Sequence, residues 1–111
     1  MNYHTIELDD KEIKFRLTSE GSIAIEESTQ MSIFDTVANL TMKNVITLLT
    51  YMRKSEEKNF SRSNACALYD ELINHGYTLE RVGKEIIFPT LVVSGFLTQD
   101  ELDKITANKE K

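Results

Sequence analysis

Apolar and polar residues alternate along the first part of the chain in the way that is typical of strands. One alternating run covers residues 3–8 and a second covers residues 13–17, where Ile13, Phe15 and Leu17 share one face. Between the two runs, Asp9-Asp10-Lys11 is a turn signal. The pattern therefore predicts an antiparallel β-hairpin over about residues 3–17.

Beyond the hairpin, apolar residues recur every three or four positions, which predicts helices over about residues 22–107. A lone hairpin is marginal in water, so its apolar face has to pack on these helices. The fold class expected is α+β, an N-terminal β-hairpin followed by a mostly helical bundle. At 111 residues, we expect one domain over residues 1–107 and a frayed tail at 108–111.

One short segment gives a mixed signal. Ile23 and Ile25 alternate as in a strand, whereas Ala24, Glu26 and Glu27 favour a helix. We expect a short helix here. The clearest helical periodicity of the chain lies further on, where Ala65, Leu68, Tyr69, Leu72 and Ile73 share one face.

Hydroxyl residues mark the starts of the predicted helices, because their side chains accept a hydrogen bond from a free backbone N–H of the first turn. Thr98 and Glu101 have the spacing of a capping box. Gly76 suits the left-handed position that ends a helix. The caps expected from the sequence are Ser19, Ser32, Thr41, either Ser61 or Ser63, Thr78 and Thr98.

The stretch from Ile86 to Leu97 is apolar on nearly every side of its predicted helix. It allows two interpretations: a central core helix, or a helix with one arc left for another protein. In the second case the contact residues would be Phe88, Leu91, Val92 and Phe96, with a second patch at Tyr51 and Met52. Pro89 removes a backbone donor and predicts a kink or break near Glu85.

Composition limits the classes of partner. The formal net charge of -5 disfavours nucleic acid and anionic membrane surfaces. A basic cluster at 53–62 is interrupted by Glu56 and Glu57, which are expected to neutralise it. The first residues lack the features of a signal peptide, and the longest apolar run is too short to span a bilayer. We therefore expect a cytosolic protein.

Few residues offer chemistry. Cys66 is the one cysteine, and the sequence predicts that it is buried and structural. His75 follows a predicted helix, where a partly cationic imidazole is favoured by the helix dipole. No HxxxH, CxxC or glycine-rich phosphate loop occurs. The sequence therefore predicts no enzyme activity, no cofactor and no metal site.

The order of segments resembles a known family. IKFRLT at the end of the hairpin is followed by SIAIEES, SIFDTVANLT, ITLLTYMRKS, ALYDELINHGYTLERVGKEI and VVSGFL. This order is similar to that of the tail assembly chaperones of long-tailed phages and prophages of Gram-positive bacteria. The resemblance covers about residues 6–97 and consists of core and turn positions without a catalytic signature.

The resemblance implies a non-enzymatic role in the host cytoplasm. Such chaperones attend the tape-measure protein, keep it soluble and help to recruit tail-tube subunits, and they are absent from the finished virion. The partners implied are the tape-measure protein and the tail-tube protein, and self-association into a homo-oligomer stays open. The alternative is a structural head–tail connector or tail-completion subunit that is retained in the virion, since ring formation also needs apolar interfaces.

Overall fold

A two-stranded antiparallel hairpin begins the fold. The computed structural model describes the backbone of residues 2–109 and the side chains of residues 2–104. Strand β1 is His4–Leu8 and strand β2 is Lys11–Phe15, with His4 opposite Phe15 and Leu8 opposite Lys11. Asp9 takes a left-handed conformation in the turn, with φ of 55°. The predicted hairpin is confirmed, and its apolar face is buried at Ile6, Leu8, Phe15 and Leu17.

Helices make up most of the remaining described chain, so the α+β class is confirmed. Residues 79–93 form one continuous helical rod in which a π-helical segment separates two α-helical parts. The last helix extends two residues beyond its predicted end at 107, and residues 110 and 111 of the predicted tail lie outside the described residues. The elements are α1 Ser19–Thr29, α2 Ile33–Ala38, α3 Met42–Lys54, α4 Arg62–Asn74, α5 Leu79–Val82, the π segment Gly83–Ile87, α6 Phe88–Val93 and α7 Gln99–Lys109.

Most helices start at the hydroxyl residues that the sequence predicted as caps. Ser32, Thr41 and Thr78 each accept from the backbone N–H three residues later. Ser61 rather than Ser63 begins α4, because its hydroxyl accepts from the Asn64 N–H while the Asn64 Oδ1 accepts from the Ser61 N–H. The expectation for α1 is wrong by one residue, since Thr18 and not Ser19 accepts from the Gly21 N–H at 3.0 Å.

Helix α3 lies at the centre of the domain. It packs against α1, α4, β2 and the π segment, and its Val45, Leu48, Leu49 and Met52 are fully buried. The backbone N–H of Arg16 also donates to the Met52 carbonyl at 3.0 Å, which joins the end of β2 to the last turn of α3. The hairpin thereby closes one side of a single hydrophobic core.

The rod at 79–93 changes its hydrogen bonding just before Pro89. Phe88 donates its N–H to the Gly83 carbonyl five residues earlier, which is the π-helical pattern. Pro89 has no N–H to offer to the carbonyl of Glu85 four residues earlier. That carbonyl instead lies 2.6 Å from Nε2 of His4 in β1. Because a carbonyl oxygen can only accept, Nε2 carries the proton.

Two further contacts fix the rod against the rest of the domain. Gly83 allows a close approach, since a Cβ there would lie 2.7 Å from Cδ1 of Leu40. At the other end, the hydroxyl of Ser94 accepts the Leu17 N–H at 2.9 Å. The rod is therefore attached at both ends, to the loop before α3 and to the chain leaving the hairpin.

Candidate functional site

The apolar stretch from Ile86 to Leu97 is mostly core. Phe88 and Leu91 are buried, as are Ile86, Ile87 and Leu97. Of the predicted contact residues on this stretch, Val92 and Phe96 are half-buried and pack against the core cluster. The expected exposed arc is therefore wrong at Phe88 and Leu91, because α3 and the hairpin together cover that side of the rod.

The second predicted patch is divided between the core and the surface. Met52 is fully buried in α3, so the expectation that it lies on an exposed patch is wrong. Tyr51 is half-buried and lines two neighbouring cavities of about 260 and 390 Å³ between α1 and α3. Of this pair, only Tyr51 offers surface to a partner in the folded chain.

The groove at Tyr51 carries three residues of the basic cluster predicted at 53–62, together with one lysine from the start of α3. Lys43, Lys54, Lys58 and Arg62 line the two cavities, with Glu20 as the one acidic lining residue. Glu57, which was expected to neutralise the cluster at 53–62, pairs with Arg53 of that cluster at 2.7 Å. Arg53 and Glu57 line a third cavity, of about 490 Å³, beside the hairpin. Residues that are adjacent in the sequence at 53–58 thus line different cavities.

Four large apolar side chains are exposed among the described residues. Ile23 in α1 is 56% exposed, Phe34 in α2 is 50% exposed and Met42 at the start of α3 is 46% exposed. Ile73 in α4 is 39% exposed. The first three belong to consecutive helices, with α1 packing on both α2 and α3. Helical spacing does not identify these side chains as exposed, because spacing within one helix does not show which of its positions the neighbouring helices cover.

The titratable groups with displaced pKa values are exposed and have structural partners. At the end of α4, Nδ1 of His75 lies 2.9 Å from the Glu71 carbonyl, and Nε2 lies 3.1 Å from Oδ1 of Asp9. The hydrogen bond to the Glu71 carbonyl, followed by the hydrogen bond to Asp9, raises the pKa of His75 above its usual value. This imidazole joins α4 to the hairpin turn.

A charged pair lies at the start of the rod. Nε of Arg81 lies 2.6 Å from Oε2 of Glu85, and the Arg81 guanidinium also lies 4.4 Å from the Tyr77 ring centre. The hydrogen bond between the pair raises the pKa of Arg81 and lowers the pKa of Glu85. Hydrogen bonding to Lys84 likewise lowers the pKa of Glu80. These are surface i,i+4 pairs of a helix, which contribute little to stability individually.

Cys66 lies on the outer side of α4 and is exposed, so the prediction of a buried cysteine is wrong. It directly follows the buried Ala65, and one residue along a helix turns a side chain by about 100° away from its neighbour's direction. Within residues 2–104, no cluster of three or more His, Cys, Asp or Glu side chains is arranged to hold a metal ion.

None of the helices in the described part of the chain combines the length and the apolar character needed to cross a lipid bilayer. Comparisons of the chain with protein-family models, with curated proteins and with solved structures found no match. The surface features that distinguish this domain are its exposed apolar side chains on α1, α2 and α3 and the basic groove at Tyr51.

Proposed function

We propose that this protein is a tail assembly chaperone of a long-tailed phage or prophage. In this role it binds the tape-measure protein in the host cytoplasm, keeps it soluble and helps to recruit tail-tube subunits. It then leaves before the virion is complete. The proposal is supported by the order of sequence segments over residues 6–97, which resembles that family.

The observation that carries the proposal is the group of apolar side chains left on the surface of an acidic domain. Ile23, Phe34 and Met42 are each about half exposed, and the chain has a formal net charge of -5. A long helical client awaiting assembly exposes apolar surface that is prone to aggregate. Covering part of that surface with a charged domain keeps the complex in solution.

The burial of Phe88, Leu91 and Met52 changes which residues are proposed to make the contact. Ile23, Phe34 and Met42 replace them as the primary contact residues. Tyr51, Val92 and Phe96 stay as secondary candidates because they keep part of their surface. Binding at such a surface acts by mass action and requires stoichiometric amounts of the chaperone.

Co-expression tests the proposal. The tape-measure protein of the same phage or prophage should move from the pellet to the soluble fraction when the wild-type chain is produced with it. A variant with Ile23→Ser and Phe34→Ser should give less soluble tape-measure protein at the same expression level. A tape-measure protein that stays equally insoluble with and without the wild-type chain would contradict the proposal.

A structural subunit retained in the particle is the second candidate. The same exposed side chains could form ring contacts between copies of the chain in a head–tail connector or tail-completion protein. Mass spectrometry of purified virions separates the two roles. The chaperone role predicts that peptides of this chain are missing from virions, whereas a connector would be present in a fixed number of copies.

A further inference from the structure

We infer that the outer face of α1, together with Phe34 of α2 and Met42 of α3, docks a basic amphipathic helix of a partner protein. The inference rests on the proposed function for the identity of that partner, and it specifies the chemistry of the segment that is bound. We call this surface the α1 face and define it by Ile23, Glu20, Glu26, Glu27, Phe34 and Met42, all of which are exposed.

Charge is distributed very unevenly along the chain. Residues 17–42 contain four acidic residues and no lysine, arginine or histidine, which gives them a formal charge of -4. The other 85 residues contain the remaining 14 acidic and all 13 basic residues, and their formal charge is -1. The net negative charge of the molecule therefore belongs almost entirely to α1 and α2, which favours a partner of the opposite sign.

The carboxylates of α1 surround an exposed apolar side chain. Glu20 precedes Ile23 by three residues, and Glu26 and Glu27 follow it by three and four, so all three are its neighbours on the helix surface. All four side chains are exposed, and no ion pair among the described residues includes these carboxylates. Ile23 supplies apolar contact, and the carboxylates around it match lysines or arginines flanking an apolar stripe.

The next two helices along the chain each expose an apolar side chain as well. Phe34 and Met42 are about half exposed, and α1 packs on both α2 and α3. Three of the four exposed large apolar side chains thus lie within the segment that contains no basic residue. An exposed apolar side chain bordered by carboxylates, as Ile23 is within α1, is the complement of an amphipathic helix that carries basic residues beside its apolar stripe.

Binding of a synthetic probe tests the inference directly. Two labelled peptides of equal length are used, one an amphipathic helix of leucine and lysine and the other the same pattern of leucine and glutamate. Fluorescence anisotropy should show saturable binding of the lysine peptide and at least about tenfold weaker binding of the glutamate peptide, because like charges at the rim repel. The affinity for the lysine peptide should fall as salt is added. Equal affinity for the two peptides would overturn the inference.

Variants locate the site. The double variant Glu26→Lys and Glu27→Lys should weaken binding of the lysine peptide by about tenfold, and Ile23→Ser should weaken it by about threefold, with no loss of helix content by circular dichroism. The matched control is Glu12→Lys with Asp70→Lys, which makes the same change of charge at exposed positions on the hairpin and α4. Wild-type affinity in the Glu26/Glu27 variant, or an equal loss in the control, would overturn the inference.

Failure of the inference can be distinguished from failure of the proposed function. If the wild-type chain solubilises the tape-measure protein and the Glu26→Lys and Glu27→Lys variant does so equally well, the chaperone role stands and the α1 face is the wrong surface. If the lysine peptide binds at the α1 face while the tape-measure protein is unaffected, the surface is correct and the proposed client is wrong.

Discussion

At the scale of single residues, one imidazole joins the hairpin turn to the end of α4. Both ring nitrogens of His75 lie within hydrogen-bond distance of an acceptor, the Glu71 carbonyl and the Asp9 carboxylate. Neutral imidazole can donate from only one nitrogen, whereas the protonated ring donates from both. The folded state therefore favours the protonated form of His75, which is why its pKa is raised.

The raised pKa of His75 gives stability a pH dependence of known sign. The pKa of His75 in the folded state lies above the usual 6.5 of an unfolded chain. The contacts of the protonated ring therefore stabilise the fold fully at pH values below the unfolded pKa. This stabilisation is lost as the pH rises through the folded pKa. We predict that His75→Ala lowers the urea midpoint more at about pH 5 than at about pH 8.5. Asn74→Ala, at an exposed neighbouring position, is the control and should show no such difference. An equal effect of His75→Ala at both pH values would contradict the assignment.

Substitution of Leu72 tests which face of α4 is buried in the core. Its side chain is fully buried, and it belongs to the face that the sequence spacing identified. Leu72→Ala is expected to lower the free energy of unfolding by about 2–5 kcal/mol, because a cavity remains where the side chain was. Ile73→Ala is the matched control one residue further on, where the side chain is exposed. Equal losses in the two variants, measured by urea unfolding, would show that the core face is misassigned.

Some residue positions could be predicted from the sequence because a local interaction determines them. Ser32, Thr41 and Thr78 cap helices because the hydroxyl meets a free N–H in the first turn of the same segment. Cys66 could not be placed in this way. Its exposure depends on where the border of the buried face lies, and that border is set by neighbouring helices rather than by spacing within α4.

At the scale of elements, the rod at 79–93 accommodates Pro89 without ending. The sequence predicts a kink or break near Glu85, and the structure has a π segment, Gly83–Ile87, at that place. The Glu85 carbonyl loses its helical donor and accepts from His4 instead, at 2.6 Å. The position of the irregularity follows from Pro89 alone. Its π-helical form could not be predicted, because the compensating donor comes from a strand 81 residues away in the chain.

A double-mutant cycle tests this link between strand and rod. His4→Ala is expected to lower the free energy of unfolding by about 0.5–1.5 kcal/mol, because it removes the donor to the Glu85 carbonyl. In a Pro89→Ala background, residue 89 regains an N–H that can serve this carbonyl, so the same His4→Ala substitution should cost less. Urea unfolding of the four proteins gives the coupling energy. An additive cycle would show that His4 does not compensate for Pro89.

At the scale of the whole molecule, the domain buries more apolar surface than the sequence pattern predicts. Ile86, Ile87 and Leu91 are fully buried although the stretch is apolar nearly all round. Spacing within a helix shows that a stripe is apolar, but it does not show how many neighbours cover it. Here α3 and the hairpin both pack against the rod, so the stretch that looked available to a partner is used by the fold.

The surface left for a partner follows from the same packing. α1 and α2 contact the core through Ile25, Ile33 and Val37, and their other sides carry Ile23 and Phe34 into solvent. The sequence shows directly that residues 17–42 contain no basic residue. Whether this segment can bind a partner depends on which of its apolar side chains are exposed, and the sequence does not show that. The hairpin and most helix boundaries could thus be predicted, whereas the candidate site required the three-dimensional arrangement.

Hydrogen exchange of this protein bound to the tape-measure protein, its proposed client, tests the central claim most directly. The account predicts slower amide exchange in peptides from 19–42, where the α1 face lies, and unchanged exchange in peptides from 83–91, which stay in the core. Binding that leaves 19–42 unchanged and alters exchange across 83–91 would contradict the account, since it would mean that the buried stretch, including Phe88 and Leu91, opens to make the contact.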